Sequence, residues 1–470
     1  MLDSSHLNTQ NHPPHGLLYR LPNMTTTSPK AKSINVFARW RPLASDETKS
    51  GEMRHSKQPD SKGLYSVSIK PQASSKDRPW TSPSAFHTIF GPEDHNSEVY
   101  NTVVVPNISK VLVGENCSFF AYGHSGSGKT HTILGYDFEH SQELGLCLAA
   151  AKQLFAEIEH LQTGNDGQEL GIGFSLFELR QKSAFDLLNN RSECHVRQGP
   201  DGKVHIRGET EMLEGGKVRV QPIVQRPCWK FETFQQELVH ALGQRATGSS
   251  SVHDQSSRTH AVLELEIVSQ SLIDARMALV DRQSELVPVG KRAIDVSIEE
   301  DMKSVIQTKE GGWAPNPDYQ KDEARIRAVE DEKALFEGRV AAAEEQVQAI
   351  LKSSPSPCLG AKMVFVDLAG AEYSEDNAAR MRTLKQSPQE RQEGRQINSD
   401  LLALKEVMRA WSKGSNRIPF RSSTLTMVLR EHFIATGSST IIVTLSPAQD
   451  QYAATLNSLR YASLVGVAGV

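Results

Sequence analysis

The sequence predicts an α/β domain built around a central β-sheet. Three stretches carry that prediction: the apolar run from Cys117 to Tyr122, Met363–Leu368 (MVFVDL) and Ile441–Leu445 (IIVTL). Each is short, rich in β-branched or aromatic residues and largely unbroken by polar residues, as a strand covered on both faces must be. Segments with helical periodicity lie between them.

In chain order, residues 1–33 are rich in Ser, Thr, Asn, His and Pro and read as a disordered leader. Ile34–Ala38 is strand-like and runs into Arg39-Trp40-Arg41-Pro42, where the proline ends regular pairing. Residues 44–62 and 71–84 are polar and proline-bearing, which predicts surface loops around a weak strand at Leu64–Ile69. Ser97 to Val113 has helical spacing, with Ser97 as its N-cap. Leu144–Leu161 is an amphipathic helix, Ile172–Leu179 a strand, and Phe185–Leu188 and Val204–Ile206 short strands or turns. Phe231–Leu242 is helical, Gly243–Ser257 a polar loop and Ala261–Ile267 a strand. After the MVFVDL strand come helices at Ile397–Trp411, Ser423–Phe433 and Thr455–Ala462.

Residues 268–360 differ from their surroundings. Charge rises, aromatics thin out, and Ile326, Val329, Phe336, Val340, Ala343, Val347 and Ile350 form a heptad-like seam that Lys333 interrupts. The stretch reads as an insertion whose amphipathic helix, about residues 321–352, folds back on the domain. The alternative is a short coiled coil that makes a weak dimer.

Composition narrows the function classes. The chain has 470 residues, 38% hydrophobic and 23% charged, with a net charge of −4, so it is no polybasic binder of nucleic acid or membrane as a whole. Five scattered cysteines without a C-x-x-C pair argue for reduced thiols rather than a disulfide framework or a zinc site. No signal-like or bilayer-length apolar run is present, which predicts a soluble cytoplasmic protein.

The chemistry concentrates in Phe119–Leu134, FFAYGHSGSGKTHTIL, which contains G-x-x-x-x-G-K-[ST] between a predicted strand and a predicted helix. Gly123, Gly126 and Gly128, with His124, Ser125 and Ser127 between them, let backbone N–H groups turn onto phosphate oxygens. Lys129 reaches the outer phosphates and the Thr130 hydroxyl is suited to Mg²⁺. Asp367, at the end of an apolar strand and followed by Leu-Ala-Gly, has the position of a second carboxylate on the metal side. The sequence therefore predicts a P-loop NTPase that takes a nucleoside triphosphate with Mg²⁺.

Several motifs in one order make the chain resemble the kinesin motor domain. They are Arg39–Pro42 (RWRP), the phosphate loop, Gln255–His260 (QSSRTH), Asp367–Glu372 (DLAGAE), Glu393–Leu404 (EGRQINSDLLAL) and Ile418–Thr426 (IPFRSSTLT). The resemblance spans residues 34–267 and 361–465, leaving the insertion and a tail at 466–470. It implies the kinesin fold, a mixed sheet sandwiched between two helix layers, and a microtubule-stimulated ATPase, with ATP as the nucleoside triphosphate. It also implies roles: Arg39, Arg41, Pro42 and His131 flank the adenine, and Ser256 and Ser257 stand on the γ-phosphate and Mg²⁺ side. Arg258 and Glu372 pair to close the two switches, and the Gly370 N–H senses the γ-phosphate, moving a helix that begins near Gln396.

The chain departs from the family pattern at His253, Ala371, Ser399, Asp400 and Thr424. Two of these lose a lysine and one adds a carboxylate on the face expected to meet the track. Residues 380–430 nonetheless carry eleven basic and four acidic residues, a local patch suited to acidic tubulin. The chain stops soon after Ala462 without a neck or stalk, so processive two-headed walking is not expected. The alternative function is a degenerate, nucleotide-dependent microtubule-binding module with little motility.

Overall fold

The computed structural model describes residues 34–72, 78–140, 142–162, 169–199, 202–246, 258–308, 311–371, 388–434 and 437–468. Its strands are β1 (Ile34–Trp40), β2 (Gly51–His55), β3 (Val67–Pro71), β4 (Trp80–Thr81), β5 (Thr88–Phe90), β6 (Cys117–Tyr122), β7 (Leu170–Arg180), β8 (Ser183–Asp186), β9 (Ser192–Gln198), β10 (Val204–Met212), β11 (Val218–Pro222), β12 (Arg226–Cys228), β13 (His260–Ser269), β14 (Val305–Gln307), β15 (Trp313–Pro315), β16 (Lys362–Asp367) and β17 (Ser439–Leu445).

The main sheet runs β11-β10-β9-β8-β7-β13-β16-β6-β17-β1-β5, with β12 added beside β7. It is mixed: β16, β6, β17, β1 and β5 pair parallel, whereas β13 pairs antiparallel with both β7 and β16. Strand alternation sorts the side chains into two cores. Phe119, Ala121 and Phe365 point to one face, where helices Asn96–Val103, Val105–Leu112, Leu146–Gln162 and Phe231–Ala246 pack. Phe120, Tyr122, Val364 and Val366 point to the other, beneath helices Pro388–Ser412, Thr424–Val428 and Tyr452–Ala468. The predicted α/β sandwich is therefore present, and the continuous apolar runs are its innermost strands.

Local chemistry corrects several boundaries. The helix expected from Ser97 to Val113 is two, broken at Val104, because Pro106 has no N–H to continue the ladder; the first is entered from His95, not capped by Ser97. The expected helix at Ser423–Phe433 is also two, Thr424–Val428 and Arg430–Ile434. Ser423 caps the first through a reciprocal bond with Thr426. The helix expected from Ile397 starts at Pro388.

The insertion holds two long helices rather than one. β13 runs directly into Gln270–Lys303, a tight β14–β15 ribbon turns the chain, and Glu323–Ser353 returns antiparallel toward β16. The heptad seam of the second helix faces the first, and Val347 is buried there. Arg292 pairs with Glu332 (2.9 Å) and Arg325 with Glu300 (3.0 Å) across the hairpin. At the root, buried Glu266 takes Arg276 of the first helix (2.7 Å), and Lys362 of β16 bridges to Glu264 (3.1 Å).

Candidate functional site

β6 and β16 are parallel neighbours with Ala121 opposite Asp367, so the loop after β6 and the loop after β16 emerge side by side. The first, Gly123–Gly128, shows why glycine is needed. An added Cβ at Gly123 would lie 2.5 Å from Ser127 Oγ and from Thr444 O, and Gly128 takes φ +100° at the mouth of helix Lys129–Ile133. The second approaches as closely: a Cβ on Gly370 would lie 2.6 Å from Ser125 N. Ala371 N–H donates to Gly123 O at 3.3 Å, joining the two loops through their backbones.

Lys129 is buried and its Nζ donates to His124 O at 2.8 Å. Burial lowers its pKa from 10.5 to about 8 despite the opposing field of Asp367, as a cation awaiting an anionic partner would show. The Thr130 hydroxyl donates to Asp367 Oδ2 at 2.7 Å, while Asp367 Oδ1 is buried without a hydrogen-bond partner among the described residues. One hydroxyl, one carboxylate with an open oxygen and an adjoining phosphate cradle fit Mg²⁺, which keeps waters and takes few protein ligands. No group of three or more His, Cys, Asp or Glu is placed to hold an ion among the described residues.

The other predicted site residues make contacts within the fold. Ser127 is buried, its Oγ donating to His124 O (2.8 Å) and meeting Thr444 Oγ1 (2.7 Å). The His124 ring lies between Ser125 O (2.8 Å) and Thr455 Oγ1 (3.2 Å), and burial holds its pKa down to about 4. Arg39 does not stand on an open nucleotide surface. It is buried, with Nη1 on Asn96 Oδ1 (2.5 Å) and Thr132 Oγ1 (2.8 Å), and braces the loop's helix from behind. Arg41 Nε donates to Gly126 O (2.8 Å); exposed Pro42 adjoins it, and half-buried His131 sits 3.4 Å from Glu143 Oε2.

Sequence reasoning missed the charged network behind the metal side. Arg245, at the end of helix Phe231–Ala246, is buried with Nη1 on Asp367 Oδ2 (3.0 Å) and Nε on Glu178 Oε1 (2.9 Å). Thr259 Oγ1 donates to the same Glu178 oxygen (2.8 Å). The His260 Nδ1 accepts from Ala369 N–H (3.0 Å), which ties the start of β13 to the loop after β16. Nothing local to Arg245 signals this role, since its partners stand 67 and 122 residues away.

Ser256, Ser257, His253 and Glu372 lie outside the described residues. Arg258 is described, and the carboxylate at its side is Glu393 (3.8 Å), which also accepts from Arg180 Nη2 at 2.5 Å. Glu393 is buried on helix Pro388–Ser412, so the residue following the first serine pair touches that helix directly.

The kinesin motor domain family model matches residues 39–287 and 339–466. The chain belongs to the kinesin motor domain family. Kinesin-like protein KIF24 of Mus musculus is 26% identical over 464 residues, covering 98% of this chain and 26% of that protein. Kinesin-like protein KIN-13B of Arabidopsis thaliana is 26% identical over 380 residues, covering 81% of this chain and 39% of its own length. The chain thus spans well under half of these relatives. Among solved structures, the motor domain of the kinesin-related Kar3 of Saccharomyces cerevisiae superposes with a TM-score of 0.57 at 21% identity, covering 92% of this chain and 99% of Kar3's. At that identity the likeness speaks for the kinesin fold. The family match leaves out 288–338, the outer part of the helical hairpin.

On the kinesin frame, helix Pro388–Ser412 and the following loop form an outer face. Arg391, Arg395, Arg409, Lys413, Arg417 and Arg421 are exposed there. Two of the acids counted against them turn inward: Glu393 as above, and Asp400, only 3% exposed and accepting from Gln396 Nε2 at 3.0 Å. The expectation that Asp400 adds a carboxylate to the outer face is therefore corrected; Ser399 is the exposed neighbour. Arg380, Arg382 and Lys385 lie outside the described residues. No described helix is long and apolar enough to cross a membrane.

Proposed function

We propose that this kinesin motor domain binds and hydrolyses Mg-ATP and couples the γ-phosphate state to microtubule binding and movement in the cytoplasm. The observation that carries the reading is the meeting of the two loops: Gly370 packs on Ser125, and Asp367 meets Thr130, at the mouth of the phosphate loop. In this reading Lys129 and the backbone of Gly123–Thr130 hold the phosphates, while Arg41, Pro42 and His131 border the base. Thr130, Asp367 and Ser257 would hold Mg²⁺, which supplies charge neutralisation on the phosphate oxygens when bound.

Ser256 and Ser257 orient the attacking water, and Arg258 with Glu372 closes the site. A γ-phosphate against the Gly370 N–H favours one arrangement of the loop after β16. Its loss releases that loop and, through Arg258 and Glu393, shifts helix Pro388–Ser412 with its cationic outer face.

The test is the steady-state ATPase rate with and without microtubules, at two salt concentrations. The reading expects stimulation that weakens with salt and vanishes in Lys129→Ala. A rate unmoved by microtubules would contradict it. Background hydrolysis with nucleotide-insensitive co-sedimentation would replace it by a binding module without motility.

A further inference from the structure

The outer face of the helical hairpin carries an apolar stripe that no described residue covers. The seam of Glu323–Ser353 turns inward on its neighbour, but Gln270–Lys303 also exposes Ile294 (56%), Ile298 (51%) and Met302 (68%). Their spacing of four residues puts them on one side of that helix. The turning ribbon exposes more apolar surface, Ile306 (43% exposed) on one of its faces and Trp313 (69% exposed) on the other. Leaving a tryptophan, a methionine and three isoleucines in water on one projection is unfavourable unless something binds there.

Charge selects what binds. Residues 299–323 hold seven carboxylates against three lysines, and residues 268–360 hold seventeen against twelve cations. The projection is therefore acidic in a chain of net charge −4, the rest of which is slightly basic. That disfavours the acidic partners: a tubulin surface, nucleic acid or an anionic membrane. A second copy is also a poor match, because the exposed basic helix Pro388–Ser412 offers a single large apolar residue, Leu402, on its outer face. An apolar stripe on a projection of net negative charge complements a helix with apolar anchors at i, i+3, i+4 and i+7 flanked by Lys and Arg. We infer that the outer face of the hairpin docks a basic amphipathic helix of another protein.

The experiment uses the full chain without nucleotide and three fluorescent synthetic peptides of about 18 residues, five helical turns. One has Leu at helical spacing with Lys elsewhere, one replaces Lys by Glu, and one replaces Leu by Ser. Fluorescence anisotropy should show saturable binding of the Leu/Lys peptide and at least tenfold weaker binding of the other two. The surface double variant Ile298→Ser, Met302→Ser should lose at least tenfold affinity while keeping helical circular dichroism. Lys129→Ala should bind the peptide unchanged, which separates this inference from the proposed ATPase. Equal binding by wild type and double variant would overturn it, as would equal binding of the Ser/Lys peptide. Sedimentation showing a dimer that the double variant abolishes would assign the stripe to a second copy and overturn it too.

Discussion

The Thr130 hydroxyl donates to Asp367 Oδ2 across 2.7 Å, joining the helix after the phosphate loop to the end of β16. Mg²⁺ would draw on both groups, so Asp367→Asn should lower Mg²⁺-dependent nucleotide affinity and cut ATPase turnover by about 10²-fold. Binding of a fluorescent nucleotide with and without Mg²⁺ checks this: the variant should lose most of the difference. A variant that kept the full Mg²⁺ effect would place the ion elsewhere.

Lys129 should take up a proton when the triphosphate arrives. Burial lowers its pKa from 10.5 to about 8, and an anion at Nζ reverses that shift. At pH 8.5 the uptake should be roughly 0.7 proton per site, falling toward zero below pH 7. Calorimetry in buffers of different ionisation enthalpy measures it directly.

Arg245 neutralises two buried carboxylates at once, Glu178 and Asp367. Arg245→Ala leaves both without that cation, and the folded state should lose about 3–5 kcal/mol. Urea unfolding at neutral pH reads this out. A loss below about 1 kcal/mol would mean that the pair is solvated in solution.

Asp400 sets a pH dependence of opposite sense to a salt-bridged aspartate. Burial raises its pKa from 3.8 to about 6. The folded chain therefore holds a proton there that the unfolded chain releases, and the associated stability is present below pH 3.8 and lost as pH rises through 6. Asp400→Asn should raise the Tm at pH 7.5, by an amount equivalent to roughly 1–3 kcal/mol. The gain over the wild type should shrink toward pH 4. Calorimetric scans at the two pH values test the sign.

Arg395 and Arg421 are exposed on the outer cationic face, away from the described residues of the phosphate loop. Arg395→Glu with Arg421→Glu should raise the half-saturating microtubule concentration at least tenfold at low salt, with less effect at high salt. Basal ATPase without microtubules should stay the same.

The sequence made legible what depends on continuous burial or on a backbone requirement. β6, β16 and β17 read as strands because both faces are covered, and the Gly123–Thr130 loop because its glycines are conformationally obligatory. The heptad seam of Glu323–Ser353 was readable too. Its partner, Gln270–Lys303, was not, since Pro288 and Gly290 interrupt it and Ser284, Ala293 and Glu300, small or polar residues, take buried positions along it. β9 alternates weakly, with Cys194 and Val196 alone buried, so a strand there carried little hydrophobic signal. Arg245, Glu178 and Glu393 escaped notice because their partners are supplied by remote strands and helices. The inward turn of Asp400 depends on helix packing that begins at Pro388, nine residues before the helix expected at Ile397.

β13 and β16 carry the phosphate-side residues at one end and the helical hairpin at the other, and Glu266–Arg276 fixes the hairpin's base to them. A helix of 34 residues is about 50 Å long. A swivel of about 5° where it leaves the sheet would sweep its tip through about 4 Å. Displacements too small to notice beside the nucleotide would thus be magnified into a stroke that a molecule held at Trp313 could feel.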